Sequence, residues 1–197
     1  MTGIGRTFLC AALLSVVAPQ VPDPVHLVVQ TTLGDIAIDL DAAHAPATVA
    51  NFLKYVDAGL YDGGRFHRTV RPDNQVDKPV KIAVVQGAAN EKRAAEFLPP
   101  IALERTSLTG IAHKDGTVSM ARAGVDSATH EFFICIGDQP ELDFGGRRNP
   151  DGQGFAAFGR VVRGMDVVRR IQAAPAEGER LTPAIEITHV RRVPRPL

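Results

Sequence analysis

The segment of residues 63–70, "GGRFHRTV", holds the side chains of this sequence that are best suited to chemistry. Arg68 is a permanent cation with several N–H donors in a rigid planar fork, so it can polarise a bound group without titrating. Phe66 lies two residues away, and strand alternation predicts that both side chains point toward the same, partly apolar surroundings. Arg68 is therefore a candidate catalytic or binding group. The alternative is an arginine at the rim of a barrel whose side chain merely extends its charge into water.

Other common chemistries have no matching pattern. The sequence has no Gly-x-Ser-x-Gly elbow and no phosphate-binding glycine loop, which disfavours a hydrolase or a nucleotide-binding protein. The histidines contain no i, i+4 pair and have no cysteine pair nearby, so we expect neither a metal site nor a cofactor. They stand at positions 26, 44, 67, 113, 130 and 189.

Length and composition indicate one domain with a substantial core. The chain has 197 residues, of which 45% are apolar, and that content is enough to bury a large interior. Lys plus Arg and Asp plus Glu number 22 each, so no excess charge suggests nucleic acid or an anionic membrane surface as a partner. The many glycines and prolines between short Val/Ile/Phe runs favour a β-rich fold.

Residues 1–24 differ from the rest of the chain. A basic lead, "MTGIGR", precedes an apolar run, "TFLCAALLSVVA", and a proline-rich break, "PQVPDP". This order predicts a signal peptide and a short linker, and hence a periplasmic or secreted protein without stable membrane association after cleavage. An uncleaved anchor and a lipid-modified Cys10 are alternatives. If the leader is removed, Cys10 leaves with it and Cys135 is the only remaining cysteine, and its apolar neighbours predict an unpaired core residue.

Helical spacing of apolar residues predicts two helices, and short apolar or alternating runs predict the strands. A helix should begin near Pro46 and end before Gly59, with Phe52 on its apolar face, and a second should cover residues 164–174. Residues 89–115 should be irregular or briefly helical. Strands are predicted at 26–32, 34–40, 63–70, 80–88, 116–123, 131–137, 155–162 and 184–193. These elements predict a mainly β fold, a closed eight-stranded antiparallel β-barrel capped by two α-helices, because closure removes exposed strand edges.

Several motifs in order resemble those of the cyclophilin-type peptidyl-prolyl cis-trans isomerases. They are "FHRTV", "VVQGA", "GTVSMARA", "EFFICIG", "LDFGG" and "FAAFGRVVRGMDVV". The resemblance runs from Val28 to Val193 and is greatest to bacterial secreted members. It implies that residues 25–197 form one monomeric domain, an eight-stranded barrel closed by two helices. Proline-containing peptides and unfolded proteins would bind on its outer surface.

The resemblance also implies roles for individual residues. Arg68 matches the family's catalytic arginine, and Gln86 matches the glutamine that holds this arginine and touches the peptide backbone. Phe133 matches the aromatic floor of the proline pocket, and Phe155 would close it. The positions implied to bind substrate are Phe66, His67, Ala83, Val84, Ala121, Arg122, Ala123, Glu131, Phe133, Leu142 and Phe155, whereas Phe158 is expected in the core.

The sequence departs from the family pattern at three places. The segment between Arg68 and Gln86 is longer than in most relatives and includes a polar loop at residues 71–79. Ala83 and Val84 replace two larger residues, which predicts a shallower pocket. Glu131 replaces a glutamine, and its carboxylate would either pair with Arg68 and orient it or compete with substrate for its donors.

The resulting hypothesis is a peptidyl-prolyl isomerase that assists the folding of exported proteins. The resonance that keeps a peptide bond planar costs about 18–20 kcal/mol to break, so rotation about an X-Pro bond is slow. A fixed donor aimed at the prolyl nitrogen would bind the twisted bond better than either planar form. The alternative is a proline-peptide binding or chaperone module with the same fold and little turnover.

Overall fold

The protein is described by a computed structural model that covers residues 23–194. The signal peptide and linker predicted for residues 1–24 therefore lie outside the described residues, apart from the last two. Among residues 23–194, no helix is long and apolar enough to cross a membrane.

Nine strands and three α-helices make up the described chain. The helices are α1 (Pro46–Asp57), α2 (Thr106–Thr109) and α3 (Met165–Ala173), and short 3-10 helices cover Glu91–Glu96 and Pro140–Leu142. The strands are β1 (Val25–Thr31), β2 (Gly34–Leu40), β3 (Gly64–Val70), β4 (Val84–Ala88), β5 (Thr117–Met120), β6 (Phe132–Cys135), β7 (Ala156–Arg163), β8 (Ala176–Glu177) and β9 (Arg180–Arg192).

Eight of these strands form a closed antiparallel barrel, which confirms the predicted fold. Their order around the barrel is β1-β2-β7-β5-β6-β4-β3-β9, and β9 pairs back with β1. The two-residue strand β8 was not predicted and pairs only with β9, so it forms a hairpin at the barrel rim. The long helices α1 and α3 are the two predicted helices, and α2 is an additional single turn.

Three predicted strand boundaries differ by three or four residues: β9 begins at Arg180 instead of 184, β5 ends at Met120 instead of 123, and β4 begins at Val84 instead of 80. Strand β4 begins late because side chains hold the preceding backbone in place of a strand neighbour. The amide oxygen of Gln75 accepts from the N–H of Ile82, and its amide nitrogen donates to the carbonyl of Ile82. Gln139 accepts from the N–H of Ala83 in the same way.

The main core fills the barrel interior and extends under the two long helices. Pro46 is in the first turn of α1, where its missing N–H costs no hydrogen bond, and Phe52 from this helix is fully buried. Glu104, from a distant loop, accepts hydrogen bonds from the N–H groups of Ala47 and Thr48 and so caps the start of α1. Phe158 is fully buried in the core, as predicted.

Candidate active site

Three strands bring Arg68, Gln86 and Phe133 into one row on the outside of the barrel. Arg68 of β3 pairs with Gln86 of β4, and Gln86 pairs with Phe133 of β6. Directly paired residues on neighbouring strands project to the same face of a sheet. The adjacent residues Val85 and Ile134 belong to the main core inside the barrel. Residues separated by many positions in the sequence are therefore side by side across β3, β4 and β6.

A β-bulge separates the directions of Phe66 and Arg68, which corrects the prediction that both point the same way. The register of β3 shifts between these two residues against both β4 and β9, and such a shift re-aims the next side chain. Phe66 is fully buried in the barrel, with its ring 5.6 Å from that of Phe132. It therefore does not reach the outer groove, and its expected role in substrate binding is wrong.

Arg68 is held from two sides. Its Nε donates to Oε2 of Glu179 at 2.8 Å, and its Nη2 donates to the same oxygen. Its Nη1 donates to the amide oxygen of Gln86 at 3.0 Å, as the resemblance implied for this glutamine. Three of the five guanidinium N–H groups are thus engaged, and two remain. The side chain is 37% exposed, so these two donors are available to a ligand in the groove.

Glu131 acts on Arg68 indirectly. Its Oε2 accepts a hydrogen bond of 2.5 Å from Nε2 of Gln86, and its Oε1 is 3.6 Å from Nε2 of His67. The direct carboxylate partner of Arg68 is Glu179, which the sequence did not single out. Glu131 therefore orients Gln86, and through it the guanidinium of Arg68.

His67 faces a neighbouring depression and does not line the groove. Its surroundings there include Arg65, Glu179 and Leu181. Burial lowers the pKa of His67 below 6.5, and this effect outweighs the opposing influence of the Glu131 carboxylate. The bulge places His67 on this side, because its neighbour Arg68 takes the outward position that pairs with β4. The expected contact of His67 with substrate in the groove therefore stays a prediction.

The floor of the groove is a small apolar cluster, separate from the main core. Phe133 is 4% exposed and meets the ring of Phe155 edge to face at 5.4 Å. Val84 and Leu142 complete the cluster next to Cys135. Cys135 is fully buried, as predicted, and burial raises the pKa of its thiol far above the ordinary range.

His113 supports Phe133 from behind. The two rings are nearly parallel, with centroids 5.9 Å apart. Nδ1 of His113 is 2.7 Å from a carboxylate oxygen of Asp143, and its Nε2 is 2.9 Å from the hydroxyl of Ser119. This buried network fixes the ring against which Phe133 packs. No local pattern in the sequence marks His113 for this position.

The segment Ala121–Ala123 lines the groove, but part of its backbone is already bonded. The N–H of Ala121 donates to the carbonyl of Glu131, and the N–H of Ala123 donates to the hydroxyl of Ser127. The side chain of Arg122 is 1% exposed and pairs with Asp151, whose pKa it lowers to about 2. The Arg122 guanidinium also lies 5.2 Å from the ring centroid of Phe155. Arg122 thus fixes the wall of the groove.

The loop at residues 71–79 reaches the groove, which the sequence did not indicate. Gln75 is buried and bonds the backbone of Arg71 and Ile82. Ile82 and Lys78 both line the groove, so Ile82 adds apolar surface where Ala83 and Val84 are small. Ala83 is not among the lining residues, and its contact with substrate stays a prediction.

The structure therefore brings together most of the predicted site residues. Metal-ligating side chains, in groups of three or more His, Cys, Asp or Glu, are not found together within residues 23–194. Lining residues that the sequence did not predict include Lys78, Ile82, His130 and Arg148. The predicted residues that do line the groove are Arg68, Val84, Gln86, Ala121, Arg122, Ala123, Glu131, Phe133, Leu142 and Phe155.

The described chain thus combines a closed eight-stranded barrel with an external groove that has an apolar floor and an arginine held from two sides at its edge. Residues 26–192 match the family described as cyclophilin type peptidyl-prolyl cis-trans isomerase/CLD. The chain belongs to this family.

Relatives of known name support this assignment. The chain is 35% identical over 153 residues to peptidyl-prolyl cis-trans isomerase A of Dickeya dadantii, which covers 77% of this chain and 73% of the relative. It is 34% identical over 143 residues to peptidyl-prolyl cis-trans isomerase B of Escherichia coli, covering 72% of this chain and 80% of that protein.

A solved structure supports the fold independently. The crystal structure of a cyclophilin type peptidyl-prolyl cis-trans isomerase from Cryptosporidium parvum aligns with a TM-score of 0.69 at 17% identity. The alignment covers 88% of this chain and 99% of that one. A second structure of that protein, in the presence of the dipeptide Ala-Pro, aligns with a TM-score of 0.67.

Proposed function

We propose that this protein is a peptidyl-prolyl cis-trans isomerase that accelerates rotation about X-Pro bonds. The observation that carries the proposal is the placement of Arg68, held by Glu179 and Gln86 beside the apolar floor at Phe133. Family membership supports it, as do the names of the relatives from Dickeya dadantii and Escherichia coli.

The chemistry needs only binding and polarisation. As an X-Pro bond twists, its resonance is lost and a lone pair becomes localised on the prolyl nitrogen. The ring of proline would lie against Phe133, Leu142 and Phe155, and a remaining N–H of Arg68 would donate to that nitrogen. The donor binds the twisted bond more strongly than either planar isomer, and so lowers the barrier. Arg68 stays charged throughout, so no proton needs to be transferred.

Exchange NMR on a short X-Pro peptide with the purified mature protein tests this function. We expect added protein to accelerate the exchange between the cis and trans resonances. Binding without acceleration would overturn the proposal and favour the second candidate, a proline-peptide binding or chaperone module. The small side chain of Val84 in the groove favours that candidate, because less apolar surface gives weaker binding of the twisted state.

We further propose that the protein assists the folding of exported proteins in the periplasm or outside the cell. The support for this is the sequence of residues 1–24, with its basic lead, apolar run and proline-rich break. Its partners would be proline-containing peptides and unfolded proteins, bound by a monomer. Cell fractionation with N-terminal sequencing tests the location, and a full-length chain with its leader attached in the cytosol would contradict it.

A further inference from the structure

Arg148 is a half-buried cation in the wall of the groove, and it forms no ion pair with another described residue. Its Nη1 donates to the amide oxygen of Gln75 at 2.8 Å and to the carbonyl of Val80 at 2.6 Å. Both partners are uncharged. Within residues 23–194, no carboxylate lies within ion-pair distance of this guanidinium.

The two other arginines that line the groove are both paired with carboxylates. Arg68 pairs with Glu179, and Arg122 pairs with Asp151. Arg147, the preceding residue, pairs with Glu141 at 2.7 Å. Glu141 and Asp151 are thus each paired with another arginine, and Arg148 differs from Arg68, Arg122 and Arg147 in lacking such a partner.

The free edge of Arg148 suits a carboxylate. Both of its hydrogen bonds leave from Nη1, so the N–H groups of Nε and Nη2 keep no partner among the described residues. These two nitrogens form the edge of a guanidinium that binds a carboxylate through two parallel hydrogen bonds. Burial lowers the pKa of Arg148, the Glu179 carboxylate opposes this effect and Arg68 adds to it, and an arginine remains charged in proteins.

Lys78 adds a second cation to the same groove. It is exposed and forms no ion pair within the described part of the chain. Glu179 is bonded to Arg68, whereas Glu131, which lines the groove, is bonded to the uncharged Gln86 and keeps its negative charge. Lys78 and Arg148 outnumber this one carboxylate, so the groove presents a net positive charge to a bound peptide. The loop at residues 71–79 creates this arrangement, because it carries Lys78 and holds Arg148 through Gln75.

We propose that Arg148, assisted by Lys78, makes the groove select proline peptides that carry an acidic side chain within two residues of the proline. The inference deepens the proposed isomerase function and rests on it. A peptide carboxylate would bind the open edge of Arg148. The gain in binding free energy would be larger than at a free surface because the guanidinium is partly desolvated.

Amidated peptides that differ at one residue test this selectivity. Glu, Gln or Lys is placed one or two residues before or after a single proline, and kcat/KM and Kd are measured by NMR for each peptide. We expect the Glu peptide to exceed the Gln peptide by on the order of tenfold in kcat/KM at one position at least, and the Lys peptide to be poorer than both. The preference of the wild-type protein for the Glu peptide over the Gln peptide should become smaller at high salt.

Matched variants test whether Arg148 and Lys78 cause the preference for the Glu peptide. R148Q should bring the ratio of Glu to Gln peptides close to one, and K78Q should lower it partly. R147Q is the control, because Arg147 is exposed, is already paired and is not a lining residue, so the ratio should persist. Thermal melts report whether each variant is folded.

Two results would overturn the inference. One is a wild-type ratio near one at every position, and the other is a ratio that survives in folded R148Q. A protein that accelerates no peptide would instead contradict the proposed isomerase function. In that case the ratio of Kd values for the Glu and Gln peptides still decides the charge preference.

Discussion

Glu179 and Arg68 are 111 residues apart in the chain, yet the Glu179 carboxylate accepts directly from the guanidinium of Arg68 in the candidate active site. Glu179 lies in the turn between β8 and β9, and its backbone carbonyl also accepts from the N–H of Thr69, the residue after Arg68. The carboxylate is 24% exposed. The hairpin at the barrel rim thus holds both the backbone and the side chain of this part of β3.

The first prediction concerns Arg68. Replacing Arg68 with Ala should lower kcat/KM for an X-Pro peptide by about 10² to 10³, the size expected when a preorganised donor to a transition state is removed. Replacing it with Lys should be nearly as harmful, because one ammonium does not reproduce the fork. Peptide affinity should fall much less than turnover. Unchanged activity in the alanine variant would exclude the catalytic role.

The second prediction makes Glu179 a positioning residue. Replacing Glu179 with Ala should lower kcat on the order of tenfold with a smaller change in KM, since the guanidinium loses a charge-assisted support. Replacing it with Gln, which keeps an oxygen acceptor, should restore part of kcat. Glu177 of the same hairpin is exposed, and E177Q is the control. Equal effects of E179A and E177Q on kcat would contradict the prediction.

The third prediction concerns the buried amide of Gln75. Replacing Gln75 with Ala should lower the free energy of unfolding by about 1–3 kcal/mol, because the N–H and carbonyl of Ile82 lose their partner. Val76 is 86% exposed, and V76A should stay within about 0.5 kcal/mol of wild type. Urea unfolding measures both. Equal stability of the two variants would show that the loop's hydrogen bonds contribute little.

The fourth prediction is a loss of stability toward acid pH. Burial lowers the pKa of His130 below 6.5, and Nδ1 of its ring accepts from the N–H of Ala89. The unfolded chain therefore takes up this proton first, so the stabilisation is present above about pH 6.5 and declines as pH falls toward the folded pKa. His67 shifts in the same direction.

Urea midpoints at about pH 7.5 and about pH 5 measure this decline. A variant that carries both H67Q and H130Q should show a smaller difference between the two midpoints than wild type. The same difference in both proteins would assign the acid sensitivity to other groups.

The sequence predicted the parts of the fold that depend on local periodicity. The strands on either side of Leu33 and the helix that begins at Pro46 follow from the spacing of apolar residues and from turn chemistry. Gln86 and Phe133 were placed from family motifs, and the register of β4 and β6 puts them side by side.

The remaining features depend on contacts between distant parts of the chain. The bulge that turns Arg68 away from Phe66 is a property of the pairing of β3 with two neighbours, which no single strand encodes. Glu179 comes from an exposed turn with no distinguishing pattern. Lys78 and Arg148 line the groove because the side chain of Gln75 holds the 71–79 loop against the barrel. Gln75 donates to the carbonyl of Arg71 and accepts from Arg148.

The seam between β1 and β9 sets the order in which a newly made chain can fold. The first strand of the barrel pairs with the last, and Val193 donates its N–H to the carbonyl of His26. On a ribosome, the β1–β2 hairpin can form early, but the interior has no closing strand until residues 180–192 have been synthesised. Such distant pairing slows folding, so the barrel should close only after translation of its last strand. It also places residues 26 and 193 close enough to be joined in a circular permutant.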